Sequence, residues 1–254
     1  MKYMLEWDKI GEHFGKCGID HMVLYRMNRN TGAYENGVVW NGITGYDENP
    51  DGGEPNDQYA DNIKYLSLLS AENYKATLKA FTYPTEFEEC DGSRTFKPEG
   101  GINFNAIHFG QQGRAKFGLC YRSLIVNDTA DIHYGYTLHL VYGLMASPSE
   151  RSHSTINDSP EIVEMSWDLN SVPITVPQIT GQENAILKPV STVTIDIITD
   201  GANKTPSAFV EAIEKKLYGV SAAENGGTAI EPTLLLPDEI YTIAKETLVA
   251  GNNG

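Results

Sequence analysis

The sequence predicts a mainly β protein with one helix after its last strand and a short helix near its C-terminus. Three consecutive segments between about residues 114 and 174 alternate apolar and polar side chains with the period of a β-strand. They cover residues 116–125, 136–145 and 161–169. Polar, turn-rich segments separate them, which is the usual order of an antiparallel β domain.

Each of these strands is expected to have one buried and one wet face. In the third, Glu164, Ser166 and Asp168 alternate with apolar residues, so the two sets point to opposite sides. The apolar faces comprise Phe117, Leu119, Tyr121 and Ile125; Leu138, Leu140, Tyr142 and Leu144; and Val163, Met165, Trp167 and Leu169.

The first half of the chain contains further strand patterns. Residues 21–27 and 38–43 are predicted to form a strand and its return around a turn at 28–32. Residues 46–58 are acidic and rich in Pro and Gly, which predicts an exposed loop before the apolar pattern resumes at 59–69. Residues 73–83 fit a helix or a strand, and their Thr, Tyr and Phe content before Pro84 favours a strand.

The C-terminal third predicts one more strand and two helices. Residues 192–199 form the strand, and residues 206–218 form a helix with Thr205 as N-cap and Gly219 as its stop. A linker at 220–231 leads to a short helix at 237–248. We expect an N-terminal arm at 1–18, either helical or extended, a β domain with its flanking helix at 19–219, and a linker with a C-terminal helix at 220–254.

Composition restricts the function classes. The chain has 254 residues and is 41% hydrophobic, which is enough for a hydrophobic core. Its net charge of −15 disfavours tight nucleic-acid binding. It contains no apolar run of membrane-spanning length, and its first residues predict no secretory signal. Three widely spaced cysteines without a CxxC pair predict reduced thiols, with Cys120 in the core.

The residue types and spacings predict no catalytic, cofactor or metal site. Ser149, Glu150 and His153 are too close in sequence for a triad, whose base approaches from another segment. His133 and His139 are too far apart along a strand for adjacent metal ligands. The acidic segment 46–58 lacks the residue order of a calcium loop. Trp40, Tyr142 and Trp167 are expected in the core rather than on a carbohydrate platform.

An ordered set of short strings between about residues 35 and 240 resembles the major tail proteins of long-tailed bacteriophages. The strings are VWNGIT at 39–44, YADNIKY at 59–65, KAFTYPTEF at 79–87, CDG at 90–92, FGLCYR at 117–122, HLVYG at 139–143, SPSER at 147–151, NDSPE at 157–161 and LPDE at 236–239.

This resemblance implies a β-sandwich or half-barrel of the phage tail-tube type with a flanking α-helix. It implies a structural protein rather than an enzyme, assembled as hexameric rings that stack into a tube through which DNA passes without sequence-specific binding. The implied partners are other copies of the chain, the tape measure protein, the tail terminator and the distal tail protein. The implied location is the virion tail, after synthesis in the host bacterial cytoplasm.

Long polar segments on a β scaffold are expected to contact partners. The segments 46–58 and 147–160 are therefore the candidate contacts between stacked rings. Their charged candidates are Asp47, Glu48, Asp51, Glu54 and Asp57 in the first, and Glu150, Arg151 and Asp158 in the second.

Other functions stay open on the sequence. A β-sandwich binding module, either a carbohydrate-binding or a virion-surface decoration domain, would show an exposed aromatic patch and a stable monomer. A hydrolytic enzyme would need a site assembled from distant segments. The inner tube of a contractile injection machine would share the fold by analogy.

Overall fold

A computed structural model describes residues 7–96, 107–148, 155, 162–176, 188–201 and 203–249. The protein is mainly β, with a large antiparallel sheet and a few short helices, as the sequence predicts. The strands are β1 Phe14–Arg26, β2 Val38–Val39, β3 Ile43–Glu48, β4 Asp51–Gly52, β5 Pro55–Ala60, β6 Ile63–Leu69, β7 Glu72–Asn73, β8 Lys75–Ala80, β9 Arg94–Thr95, β10 His108–Phe109, β11 Phe117–Asn127, β12 Asp131–Pro148, β13 Met165–Ser171 and β14 Thr192–Ile198. The helices are α1 Glu88–Asp91, α2 Ser207–Tyr218 and α3 Pro237–Ala244.

The main sheet has the order β2-β1-β11-β12-β13-β8-β3, with β14 also paired to β12. β12 is 18 residues long and changes partner along one edge. Its residues 135–141 pair with β14, and its residues 144–148 pair with β13. The change falls at Gly143, whose φ of 61° is in the left-handed region that favours glycine. The sheet therefore turns a corner there.

Two hydrophobic clusters lie on opposite faces of β1, β11 and β12. The first also receives apolar residues of β8 and β13 and packs four aromatic side chains together: Trp40, Phe87, Phe117 and Trp167. The second lies on the other face and is covered by Phe209, Ile213 and Leu217 of α2 and by residues around α3. The arrangement is a folded sheet with α2 and α3 on the side of the second cluster.

The three organising strands are confirmed at β11, β12 and β13, with two corrections. β11 and the central part of β12 are buried on both faces. α2 covers the side of β11 that the sequence predicts to be wet, whereas the predicted wet side of β12, with Val141, packs into the first cluster. Leu144 does not share the face of Leu138, Leu140 and Tyr142 but belongs to the first cluster. The left-handed backbone at Gly143 breaks the alternation between them.

Most other predicted elements are confirmed. Residues 73–83 contain β8, with Ala76, Leu78 and Ala80 buried and the intervening residues outward. The first strand is longer than predicted, because β1 starts at Phe14, so that end of the predicted N-terminal arm is extended. Residues Glu88–Asp91 form α1, which packs Cys90 into the first cluster.

The two C-terminal helices are confirmed as α2 and α3, the latter followed by a π-helical turn at Lys245–Val249. Gly219 ends α2 with a φ of 75°, as predicted. The predicted N-cap is wrong: the helix starts after Pro206 without a side-chain cap. The Thr205 hydroxyl instead accepts a hydrogen bond of 2.9 Å from the backbone N–H of Ile198, which joins the helix start to β14.

Candidate functional site

The most exposed regular structure of the described chain is a long β-ribbon. β3 and β8 pair in the main sheet, and the same two chain segments go on to pair as β4 with β7 and β5 with β6. We call residues 49–74 the hairpin arm. Its tip is a two-residue turn at Asp61 and Asn62, with φ of 50° and 64°. Positive φ at both positions is typical of the type I′ turn that closes antiparallel hairpins.

The prediction of an exposed loop at 46–58 is therefore wrong in conformation, although most of the segment is exposed. The acidic, Pro-containing half of the ribbon has little strand propensity of its own. Its backbone groups instead find partners on the apolar half, residues 63–69, across the register from Pro55↔Leu69 to Ala60↔Ile63. Tertiary pairing overrides local propensity here.

The hairpin arm exposes large apolar side chains on both faces. All seven residues of β6 are exposed. Ser67 donates a hydrogen bond to Asp57, and Lys64 forms a salt bridge with the same carboxylate at 2.7 Å, so one face of the ribbon has a polar centre. The exposed apolar set, each side chain at least 47% accessible, is Tyr59, Ile63, Tyr65, Leu66, Leu68 and Leu69.

The five predicted contact acids of the first segment all lie on this ribbon or at its base. The Asp47 carboxylate pairs with Lys79 at 3.0 Å, and Asp51 pairs with Lys75 at 2.6 Å. The Lys75 ammonium lowers the pKa of Asp51, and the Lys64 ammonium lowers that of Asp57. The Asp47 carboxylate in turn raises the pKa of Lys79.

The other two acids have different surroundings. The Glu48 carboxylate accepts hydrogen bonds from two tyrosine hydroxyls, those of Tyr74 and Tyr121. Glu54 uses its backbone carbonyl, which accepts a hydrogen bond of 3.0 Å from the N–H of Ser70 and closes the ribbon below β5 and β6. The predicted candidates of the second segment, Glu150, Arg151 and Asp158, lie outside the described residues.

A second polar surface lies where β8 and β13 face away from the first cluster. Thr77 donates a hydrogen bond of 3.2 Å to Asp168 across the two strands. Thr44 donates a hydrogen bond of 2.5 Å to Glu164 at one end of this face, and the Asp47–Lys79 pair lies on it. This face therefore has one ion pair and two threonine–carboxylate hydrogen bonds.

The described residues contain no group of three or more His, Cys, Asp or Glu arranged to hold a metal ion. Trp40, Tyr142 and Trp167 are buried, as the sequence predicts. The cysteines in the described part of the chain are free thiols, with Cys17 exposed and Cys90 and Cys120 buried, and burial raises the pKa of both buried thiols to about 12. In the same part of the chain, no helix combines the length and apolar character needed to cross a membrane.

Sequence reasoning missed the apolar side of the arm as a candidate surface. The signal was present, because residues 59–69 contain six large apolar residues directly after an acidic segment. The apolar pattern at 59–69 was not assigned to an interaction surface. The structure shows that these six side chains are exposed and belong to neither hydrophobic cluster.

No family model and no curated protein sequence matches the chain. Among solved structures, it is similar to a chain of the PVC extracellular contractile injection system, in its sheath/tube terminator in the extended state. That likeness has 12% identity over 60% of this chain and 89% of the other, with a TM-score of 0.27.

Two further solved structures are similar at the same level. A chain of the anti-feeding prophage baseplate matches at 7% identity over 75% of this chain and 97% of its own, with a TM-score of 0.27. A chain of the PVC sheath-tube complex in the extended state matches at 12% identity over 67% and 89%, with a TM-score of 0.24. These neighbours are structural components of phage-tail-like contractile injection systems. TM-scores this low do not establish a shared fold.

Proposed function

We propose that this chain is a structural protein of a phage-type tail. Its copies form homohexameric rings that stack into a tube for DNA ejection. The observation that carries the proposal is the hairpin arm with its exposed apolar side chains. An isolated two-stranded ribbon is marginally stable in water, and a large exposed apolar patch marks an interaction surface. The arm therefore needs a partner surface.

A second copy of the chain fits this need. Two acids of the arm are paired, Asp57 with Lys64 of the arm and Asp51 with Lys75 of β8. Paired charges reduce the repulsion that a net charge of −15 creates between copies. The arm is a projection rather than a flat patch, so it meets a different surface on the next copy. Contacts of this head-to-tail type generate rings and filaments instead of closed dimers.

The edges of the main sheet support assembly within a ring. β3 ends the sheet path, and β14 pairs only with β12 among the described strands. Each therefore presents one edge of unpaired backbone groups. Such edges pair with strands of another chain unless they are protected. In the proposed ring they join neighbouring copies into a continuous barrel.

The excess of acidic over basic residues suits a channel through which DNA passes. The chain has 34 acidic and 19 basic residues, so a lumen lined by copies of it repels the phosphate backbone and does not retain DNA. On this proposal the wet face of β8 and β13 is the candidate lumen surface, with the Thr77–Asp168 and Asp47–Lys79 pairs on it.

The sequence resemblance supplies the remaining parts of the proposal. The other partners are the tape measure protein, the tail terminator and the distal tail protein. The chain is located in the virion tail after synthesis in the host bacterial cytoplasm. It acts as a structural subunit and not as an enzyme. Acids of the arm, with Glu150, Arg151 and Asp158 of the second segment, form polar contacts between rings.

Truncating the arm tests this function. Glu54 and Ser70 face each other through a backbone hydrogen bond, so residues 55–69 can be replaced by Asn-Gly, a two-residue hairpin turn. This variant leaves Tyr46 and Glu48 in place, which deletion of residues 46–58 would remove. We expect folded subunits that form no tubes in negative-stain electron microscopy. Tubes of normal length from the truncated chain would refute the role of the arm.

A milder substitution separates the apolar contact from the length of the arm. Leu66→Ser and Leu68→Ser together remove two exposed apolar side chains of β6. Phe96→Ser is the matched control, because Leu66 and Phe96 are both 47% exposed and Phe96 is off the arm. We expect the double variant to stay dispersed at concentrations where wild-type protein and the control assemble. Equal assembly of all three proteins would contradict the proposal.

A further inference from the structure

Several tyrosine hydroxyls and one carboxylate meet where the hairpin arm leaves the sheet. Glu48 is the last residue of β3, and Tyr74 directly precedes β8. The hydroxyls of Tyr121 and Tyr74 donate hydrogen bonds of 2.8 and 3.0 Å to the same Glu48 oxygen, Oε1. The hydroxyls of Tyr46 and Tyr74 are hydrogen-bonded to each other at 2.9 Å. We call Tyr46, Glu48, Tyr74 and Tyr121 the tyrosine joint.

The joint connects parts of the sheet that are not neighbours. Along the sheet, β12, β13 and β8 lie between β11, which carries Tyr121, and β3, which carries Glu48. Because the sheet turns its corner at Gly143, β11 and β3 approach each other across the first hydrophobic cluster. The rings of Tyr46 and Tyr121 are in contact, with centroids 4.6 Å apart. The joint therefore ties the root of the arm to the opposite layer of the fold.

His139 of β12 lies directly under this joint. Its ring stacks on that of Tyr121, with centroids 4.5 Å apart and planes within 3°. Nε2 is hydrogen-bonded to the Ser123 hydroxyl at 2.8 Å. Nδ1 is buried and has no hydrogen-bond partner among the described groups. The charged groups around the ring are Glu48 of β3, Lys16 of β1 and Asp196 of β14, and its own strand adds none.

We propose that the tyrosine joint is a lock that fixes the direction of the hairpin arm, and that protonation of His139 releases it. Removing the Glu48 carboxylate removes the shared acceptor of two hydroxyls, so the root of the arm separates from β11. The lock acts in the single chain, so it does not depend on the proposed tube. In a tube it would set the angle at which the arm meets the next ring.

The three tyrosine hydroxyls remain hydrogen-bond donors over the physiological pH range. Burial raises the pKa of Tyr46, Tyr74 and Tyr121 well above the ordinary value, so all three hydroxyls keep their protons at any physiological pH. Burial lowers the pKa of His139, which keeps its ring neutral near pH 7. A proton on Nδ1 would place a charge in a buried position and would face no acceptor among the described groups. An unsatisfied buried donor is unfavourable, so the protonated ring disfavours the stacked arrangement.

Hydrogen exchange of the full-length monomeric chain at pH 7.5 tests the lock. The comparison is between wild type, Glu48→Ala, Glu48→Gln and Asp47→Ala. Glu48→Gln keeps an acceptor oxygen. Asp47→Ala is the matched control, because Asp47 is the neighbouring acid and bonds Lys79 on the other face. Losing the hydrogen bonds of the joint costs about 1.4 kcal/mol, which is a tenfold change in local opening.

We expect Glu48→Ala to lower the protection factors of peptides 46–53 and 70–76 about tenfold, with those of α2 unchanged. Glu48→Gln and Asp47→Ala should stay within about threefold of wild type, because both variants keep an acceptor oxygen at position 48. Two results would overturn the lock: equal protection in Glu48→Ala and Asp47→Ala, or a uniform loss that includes α2.

The role of His139 has its own test. His139→Phe keeps an aromatic ring under Tyr121 and removes the titrating nitrogen. We expect the wild-type arm root to lose protection, corrected for intrinsic exchange, between pH 7.5 and 5.5, and His139→Phe to keep it. The same pH dependence in both proteins would remove His139 from the mechanism. These measurements use the monomer, so failure of tube assembly leaves them interpretable.

Discussion

The carbonyl of Gly143 accepts a hydrogen bond of 2.9 Å from the backbone N–H of Val172, at the point where β12 passes from one partner strand to the next. This contact lies just beyond the pair Leu144↔Ser171, which opens the β12–β13 ladder. The backbone N–H of Gly143 donates a hydrogen bond of 2.9 Å to the Tyr34 hydroxyl. Both of its backbone groups are used, and the corner of the sheet is fixed there.

Gly143→Ala should destabilise the protein strongly. The φ of 61° strains any residue with a Cβ, and a Cβ at this position would lie 2.1 Å from the Val172 carbonyl oxygen. Strain and backbone displacement together should cost about 2–4 kcal/mol in the free energy of unfolding, measured in urea. Gly18→Ala is the control, because Gly18 has a φ of 66° with nothing within 4 Å. Equal costs for the two variants would contradict the importance of the corner.

The buried Trp167 is expected to contribute more than Trp40 through its indole N–H. Trp167 donates a hydrogen bond of 3.0 Å to the Asp91 carboxylate, whereas Trp40 donates one of 2.8 Å to the carbonyl of Thr82. Hydrogen bonds to charged groups contribute about twice as much as neutral ones. Trp167→Phe should therefore lower the free energy of unfolding by about 1 kcal/mol more than Trp40→Phe. The reverse order in chemical denaturation would show that packing outweighs the hydrogen bond.

His139 predicts a loss of global stability in mild acid. Its pKa in the folded state lies below the ordinary value of 6.5 because of burial, so the unfolded chain binds a proton more readily. The associated stability is fully present above pH 6.5 and is lost as the pH falls from 6.5 through the lower folded pKa. Urea midpoints of wild type should fall relative to those of His139→Phe between pH 7 and 5. A constant gap between the two proteins would contradict this assignment.

His13 predicts the opposite trend. Its Nδ1 lies 2.9 Å from Asp128, and this hydrogen bond raises the pKa of the imidazole above 6.5. The stabilisation is therefore present below pH 6.5 and is lost as the pH rises through the raised folded pKa. His13→Asn should lie closest to wild type in alkaline solution and deviate from it in mild acid. NMR titration of the His13 ring measures the pKa directly, and a value at or below 6.5 would refute the contact.

The strands were predictable from the sequence wherever alternation reflects local burial. β8, β13 and β14 each keep one apolar and one polar face, so period-2 patterns located them. The double burial of β11 and the changed face of Leu144 were not predictable in this way. The first depends on α2, a distant segment that covers the sheet, and the second on the backbone at one glycine.

The candidate site was likewise predictable from the sequence only in part. Acidic residues of 46–58 were recognised as exposed from composition, yet their pairing with Lys64, Lys75 and Lys79 depends on the hairpin register. The tyrosine joint depends on contact between β3 and β11, which are far apart in the chain and are not adjacent in the sheet. Neither strand pattern nor composition carries information about a contact that forms only after the sheet has folded over.

Negative-stain electron microscopy of the purified chain over a rising concentration series tests the central claim most directly, with sedimentation velocity on the same samples. The account predicts hollow six-fold rings and tubes from the wild-type chain. It also predicts a dispersed, folded monomer from the chain in which Asn-Gly replaces residues 55–69. A wild-type protein that remains a single monomeric species at every concentration, without rings or tubes, would contradict it.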